Sequence, residues 1–260
     1  MDFGLKGKVA FVTGGSHGIG RATALALARE GCRVSIAARG KSNLDATASA
    51  LRAMGASCLA IQADLSIEED LDKAFDAVIN EFGSVHVLVN NVGGGGRWGD
   101  ENVLQTAERV WTEAYDKNVG IALRLTLKAL PFMQRQNWGR VITITSIYGV
   151  QAGGRPWFNL AKVAQSVLMK NLALRREFAR RNITFNSVAP GALMIPDTGW
   201  EAEQQKDPEG FRQRVDHEFT AGRLGLPEEV ADVVAFVASE RSSYMNGACL
   251  LVDGGQSPVI

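Results

Sequence analysis

Along the 260-residue chain, short apolar runs alternate with longer stretches in which apolar residues recur at helical spacing. Residues 9–12 form an apolar run bounded by Gly7 and Gly14, the pattern of a strand buried on both faces. Residues 19–30 carry apolar positions three and four apart and stop at Gly31, a C-terminal cap. The same alternation predicts further strands over 33–38, 58–63, 85–89, 141–145, 184–189 and 249–252. It predicts helices over 44–54 (closed by Gly55), 71–82 (closed by Gly83), 103–118, 121–135, 161–180 and 230–239. Repeated strand–helix–strand units imply parallel pairing and right-handed crossovers. The expected fold over residues 1–260 is a single-domain, doubly wound α/β parallel sheet with helices on both faces. One stretch, about 191–225, lacks either period. It follows the C-terminal end of a strand, where open α/β sheets bind ligands, and is expected to be an irregular substrate-binding loop or lid.

Charge narrows the function classes. Lys plus Arg and Asp plus Glu both total 28, with no basic stripe, so nucleic acid is not an expected partner. A net charge of zero removes one guard against self-association. Cys32, Cys58 and Cys249 are far apart and form no CxxC pair, so neither a metal site nor a disulfide framework is expected, and each reads as a small core residue. The opening residues lack a signal-peptide pattern, and no apolar run approaches the ~20 residues that span a bilayer. A cytoplasmic protein without a membrane partner is expected.

Chemistry enters at Thr13-Gly14-Gly15-Ser16-His17-Gly18-Ile19-Gly20, where the first strand gives way to the first helix. Glycines there permit a tight turn and let the backbone approach a pyrophosphate, which the helix N-terminus then attracts. The spacing is G-x-x-x-G-x-G, and its strand-then-helix context is what a Rossmann-type dinucleotide site requires. His17 is either a phosphate donor or a bystander in the turn. An acid after the second strand would bind the ribose 2′-hydroxyl of NAD. This chain has Ala37-Ala38-Arg39-Gly40-Lys41, and a guanidinium matches a 2′-phosphate, so NADP(H) is favoured over NAD(H).

Further motifs follow in order: Asn90-Asn91-Val92-Gly93, Asn118, Ser146, Lys162, Pro190-Gly191, Arg223-Leu-Gly-Leu-Pro-Glu-Glu-Val and Val252-Asp-Gly-Gly. Together with the glycine motif, this set resembles the short-chain dehydrogenase/reductase family over essentially the whole chain. The resemblance implies an oxidoreductase acting on a small carbonyl or alcohol. It implies that Asp64 and Leu65 hold the adenine edge and that Asn90, Asn91 and Gly93 line the cofactor cleft. Lys162 would bond the nicotinamide ribose, Asn118 would hold a proton-relay water, and Ser146 would bind the substrate carbonyl. Pro190, Gly191 and Leu193 would flank the nicotinamide. Taken singly, Asn118 also reads as a helix-end hydrogen-bonder and Lys162 as a solvated helix lysine. The family further implies a homotetramer or homodimer through the helices of residues 103–136 and 156–181.

One position departs from the pattern. The family's signature is Tyr-x-x-x-Lys, with the tyrosine as general acid and base; here Lys162 is preceded by Phe158. Phenylalanine keeps the ring but neither gives nor takes a proton, a loss worth on the order of 10²–10⁴ in rate. Three readings stay open. The enzyme uses another donor: the candidate is Tyr148, which shares a face with Ser146 if the chain stays extended there but also reads as a pocket-wall or buried tyrosine, and Lys162 through a water is another. Alternatively the protein is a non-redox cofactor binder or repurposed homologue. Or Phe158 is an introduced, silencing change. Around the expected site, the glycine run of residues 93–96 with Trp98, Trp157 and Trp200 suggests an apolar or cyclic substrate. Arg97 or Arg155 would suit an acidic substituent.

Overall fold

The computed structural model describes residues 2–259. Seven parallel strands are ordered β3-β2-β1-β4-β5-β6-β7. They are β1 (Val9–Thr13), β2 (Arg33–Ala38), β3 (Cys58–Gln62), β4 (Val87–Asn90), β5 (Gly139–Ile144), β6 (Ile183–Pro190) and β7 (Cys249–Val252). Strand period sets the layers. Ala10 and Val12 of β1 pack into the layer holding Leu27, Leu44 and Val234, while Val9 and Phe11 pack into the layer holding Leu71, Leu125 and Met169. The first layer is covered by α1 (Gly18–Arg29), α2 (Lys41–Ala53) and α10 (Pro227–Ala238). The second is covered by α3 (Glu68–Phe82), α5 (Ile121–Arg135) and α6 (Pro156–Ala173). The doubly wound expectation therefore holds. Strand order reverses between β1 and β4, which opens a crevice at their C-terminal ends. Among the described residues, no helix is long and apolar enough to cross a membrane.

Three expectations need correction. The helix expected over 161–180 begins earlier, because Pro156 takes its first position, where a missing N–H costs nothing. It ends at Ala173 and is followed by a single short turn of helix, α7 (Arg176–Ala179). The helix expected over 103–118 is broken. Asn102 caps a 3₁₀ turn at Val103–Gln105, α4 runs over Glu108–Tyr115, and a π-turn over Asp116–Gly120 leads directly into α5. The stretch 191–225 is not irregular. It holds α8 (Gly199–Lys206) and α9 (Pro208–Glu218), the latter with Pro208 first and Asp207 accepting from the Gly210 N–H. Trp200, Phe211, Val215, Phe219 and Leu224 form its own small apolar cluster. Of the cysteines only Cys32 is fully buried; Cys58 and Cys249 are half-buried.

Candidate active site

The crevice is a cleft of about 1120 Å³. Gly14, Ser16 and His17 line it, with Arg39 and Gly40 after β2, Asp64 and Leu65 after β3, and Asn91, Val92 and Gly93 after β4. Thr13 fastens its floor. The Thr13 hydroxyl donates to Val89 O (3.2 Å) and accepts from the N–H groups of Asn91 (2.9 Å) and Val92 (3.0 Å), joining the ends of β1 and β4. The Asn91 amide returns the contact, donating to Thr13 O (2.9 Å) and Gly14 O (3.3 Å). At Gly20 a Cβ would run into Gly14 O and the Asn91 amide, so the loop closes only around glycine. Helix α1 then starts with no side chain capping its first N–H groups. Those donors, the glycine cradle and the helix dipole fit a dinucleotide pyrophosphate.

Arg39 lies at the end of β2 as expected, exposed, its guanidinium 3.7 Å from the Asp64 carboxylate. Hydrogen bonds from the Ser66 hydroxyl and N–H lead the causes that hold the Asp64 carboxyl below its usual range, with Arg39 adding to them. His17 is no bystander: its Nε2 is 2.8 Å from Pro196 O, which ties the glycine turn to the 191–225 segment. Pro196 and Met194 line a neighbouring cavity of about 460 Å³ with Ser16, His17 and Gly18. Further along the same segment the Arg97 guanidinium lies against Gly199.

Some expected positions fall elsewhere. Adjacent strand residues point to opposite faces, so Asn91 faces the cleft while Asn90 turns beneath the sheet and donates to Thr126 Oγ1 (3.1 Å). Leu193 is buried in the main core and pairs with Gly225. Pro190 is buried at the end of β6, and Gly191 is backed by Asp253 and Gln256. Of the three tryptophans expected around the site, only Trp98 lines the cleft. Trp157 is fully buried, its N–H donating to Gly95 O (3.0 Å), and Trp200 packs on Phe211 and Phe219.

The inner end of the cleft is Gly93, and Asn118 and Lys162 lie behind it. A Cβ on Gly93 would be 2.6 Å from Asn118 Oδ1 and 3.2 Å from Lys162 Nζ. Asn118 is carried inward by the π-turn, and its amide donates to Gly94 O and Ala114 O (both 2.7 Å). Lys162 is buried; its ammonium donates to Ile144 O and to Gln165 Oε1, both at 3.0 Å. Burial pushes its pKa down to about 7. Phe158 lies one turn before Lys162, with the ammonium 5.5 Å from its ring centre. The ring also packs against Gly96.

Ser146 follows β5, and its hydroxyl accepts from the Tyr148 N–H (3.2 Å). That bond caps a 3₁₀ turn at Ile147–Gly149, so the chain is not extended there and Tyr148 does not share a face with Ser146 by strand alternation. The Tyr148 ring instead stands edge-on to Phe158 at 6.4 Å, against Gly153 and Gly154. Sequence reasoning missed two residues. Lys117 lines the cleft over the Trp98 ring (4.9 Å), and burial lowers its pKa. Gln165 is fully buried beside Lys162. Both were detectable in principle: Lys117 is the residue before Asn118, and Gln165 lies three residues after Lys162 on the same helical face.

Residues 14–257 match the family described as enoyl-(acyl carrier protein) reductase. The 3-oxoacyl-acyl-carrier-protein reductase of Aquifex aeolicus is 34% identical over 98% of this chain and 99% of that protein. The same enzyme of Thermotoga maritima is 31% identical over 96% and 98%. The structure of L-sorbose reductase from Gluconobacter frateurii, complexed with NADPH and L-sorbose, superposes with a TM-score of 0.91 at 33% identity over the whole of both chains. An actinorhodin polyketide ketoreductase with NADPH superposes with a TM-score of 0.88 at 30% identity, over 97% of this chain and 98% of that one. The fold and site define a dinucleotide-binding α/β oxidoreductase. The chain belongs to the short-chain dehydrogenase/reductase family.

Proposed function

We propose that this protein is an NADP(H)-dependent oxidoreductase of a small carbonyl compound or the matching alcohol, with Lys162 as proton donor in place of the phenol that Phe158 lacks. The observation that carries this reading is the line of groups along one cleft, from Arg39 over the uncapped glycine turn to Gly93, with the Lys162 ammonium directly behind Gly93. NADPH in the sorbose reductase and polyketide ketoreductase structures supports the cofactor, as does Arg39 where an acid would select NAD.

The nicotinamide, when bound, supplies the hydride. This chain's residues do the rest. Arg39 and the α1 N-terminus bind phosphate. Ser146 orients the substrate oxygen through its hydroxyl proton, since its oxygen already accepts from Tyr148. Lys162 has three donors, of which Ile144 and Gln165 hold two. The third serves the oxygen of the reduced carbonyl: the N–H bond breaks, an O–H bond forms, and a neutral amine remains. A pKa near the working pH suits an acid that must be recharged each cycle. The His17–Pro196 and Arg97–Gly199 contacts fasten the 191–225 segment beside the glycine turn, where it would act as a lid in this reading.

The test is a fluorescence titration with NADPH and NADH, followed by NADPH oxidation against a panel of ketones, aldehydes and quinones, beside a Phe158→Tyr variant. Turnover by the natural chain, with NADPH bound more tightly than NADH, supports the proposal. A gain of about 10²–10⁴ in Phe158→Tyr is expected from the restored acid. Turnover by the variant alone would mean a disabled or repurposed reductase, the reading that Phe158 itself favours. No binding of either nucleotide would refute both.

The assembly we infer is a homo-oligomer. Leu160, Val163 and Val167 form an exposed stripe on α6, and Leu123 and Leu127 another on α5. These helices are the ones expected at the interface, and a second copy of the chain covers both stripes in this reading.

A further inference from the structure

We propose that Gln165 is a positioning residue for Lys162, holding the ammonium at the Gly93 wall of the cleft and closing it off from behind. This rests on the reading of Lys162 given above. The geometry is a chain of three buried groups. Lys162 Nζ donates to Gln165 Oε1 (3.0 Å), and Gln165 Nε2 donates to the Asn118 carbonyl (2.8 Å). Asn118 in turn brackets Gly94, accepting its N–H (3.2 Å) and donating to its carbonyl (2.7 Å). One amide therefore ties the lysine on α6 to the π-turn and to the loop that forms the inner end of the cleft. Gln165 is fully buried, and such an amide is retained only with its partners in place.

The consequence is directional. With Gln165 and the Ile144 carbonyl each accepting one proton of Nζ, one N–H is left over, and the part of the cleft wall next to Nζ is Gly93, where a Cβ would lie 3.2 Å away. Phe158 is aprotic, so Lys162 exchanges its proton with what occupies the cleft. No charged group competes: Lys162 makes no ion pair among the described residues. The titratable neighbours on the packed elements are Lys117 beyond Gly94, Tyr148 behind Phe158, and Cys249, which meets Ser166 on α6. Gln165 is thus the side chain that decides where the ammonium sits and how firmly it is held.

Two substitutions separate the two bonds. Gln165→Glu keeps an acceptor for Lys162 and adds charge but has no donor for Asn118; Gln165→Leu removes both bonds. The first readout is urea unfolding of the cofactor-free protein across pH, which locates the pH where Lys162 begins to release its proton in the fold. That onset is expected to move up by about one unit or more in Gln165→Glu and down in Gln165→Leu. A purely structural role would shift stability equally at every pH and leave the onset in place; that result overturns the proposal. Should Gln165→Leu fail to fold, Gln165→Glu decides alone. The second readout is NADPH titration, where Gln165→Leu is expected to weaken binding about five-fold or more. Unchanged affinity beside a moved onset would overturn the positioning role. If the natural chain binds no NADPH, the oxidoreductase reading falls, while the onset comparison still decides whether Gln165 governs Lys162.

Discussion

Replacing Lys162 with methionine isolates the energetic consequence of burying an amine at the end of the cleft. In the unfolded chain this lysine has its ordinary pKa of 10.5; in the fold, burial brings it to about 7. Below that value both states hold the proton and pH has no effect through this group. Between the two values the unfolded chain holds a proton that the folded chain does not, so raising pH favours the fold. Each pH unit in that window is worth about 1.4 kcal/mol, which gives ~3 kcal/mol of added stability between pH ~7 and pH ~9.5. The hydrogen bonds to Ile144 O and Gln165 Oε1 favour the charged form and work against this, so the measured rise lies between ~1 and ~3 kcal/mol. Lys162→Met removes the titration. It also strands two buried acceptors, a loss that is the same at every pH. Urea unfolding of both proteins, cofactor-free and across this range, gives the difference in stability directly, and all other titrating groups cancel. The natural chain should gain on the variant as pH rises. A difference that stays flat, or shrinks with pH, would refute the assignment of Lys162 as a desolvated amine.

Three shorter predictions follow from the rest of the site. Gly20→Ala forces a Cβ into Gly14 O and the Asn91 amide, an overlap worth about 1–3 kcal/mol, and should weaken NADPH binding ~10–100-fold in the fluorescence titration. Arg39→Asp places a carboxylate beside Asp64 and where a 2′-phosphate would lie; NADPH affinity should fall ~10-fold or more while NADH affinity holds or rises. Val167→Arg puts a charge into the exposed α6 stripe; light scattering should show a smaller species, and an unchanged mass would refute that face as the interface.

The sequence shows the scaffold more clearly than it shows the direction of individual side chains. Glycine punctuation and apolar runs locate all seven strands, because buried parallel strands have no other composition available. Asn90 and Asn91 show the limit: the motif names both, but strand period sends only one into the cleft, and Asn90 is seated against Thr126. Trp157 reads as a cleft aromatic because it neighbours Phe158. The helix that starts at Pro156 turns it inward by a hundred degrees, onto Gly95 and Trp111. The helices of 191–225 were hidden for another reason: α8 and α9 are short and mostly polar, and they pack through Trp200, Phe211 and Phe219, contacts that no local period encodes.

The buried lysine also bears on whether Phe158 marks an inert homologue. A scaffold that had merely lost its chemistry gains nothing from keeping an amine in the dark. A methionine or leucine at 162 would fill much the same space without the desolvation that pulls its pKa to about 7. Keeping the amine also requires Gln165, an amide whose own burial is tolerable only because Lys162 and Asn118 satisfy it. Gly93 must stay bare as well, since a Cβ there would press on both Asn118 and Lys162. Lys162, Gln165 and the bare Gly93 thus form a joint arrangement that burial of the amine makes costly to the fold. In the reading proposed above, Phe158 changes which group moves the proton, and Lys162 is the group that presents one.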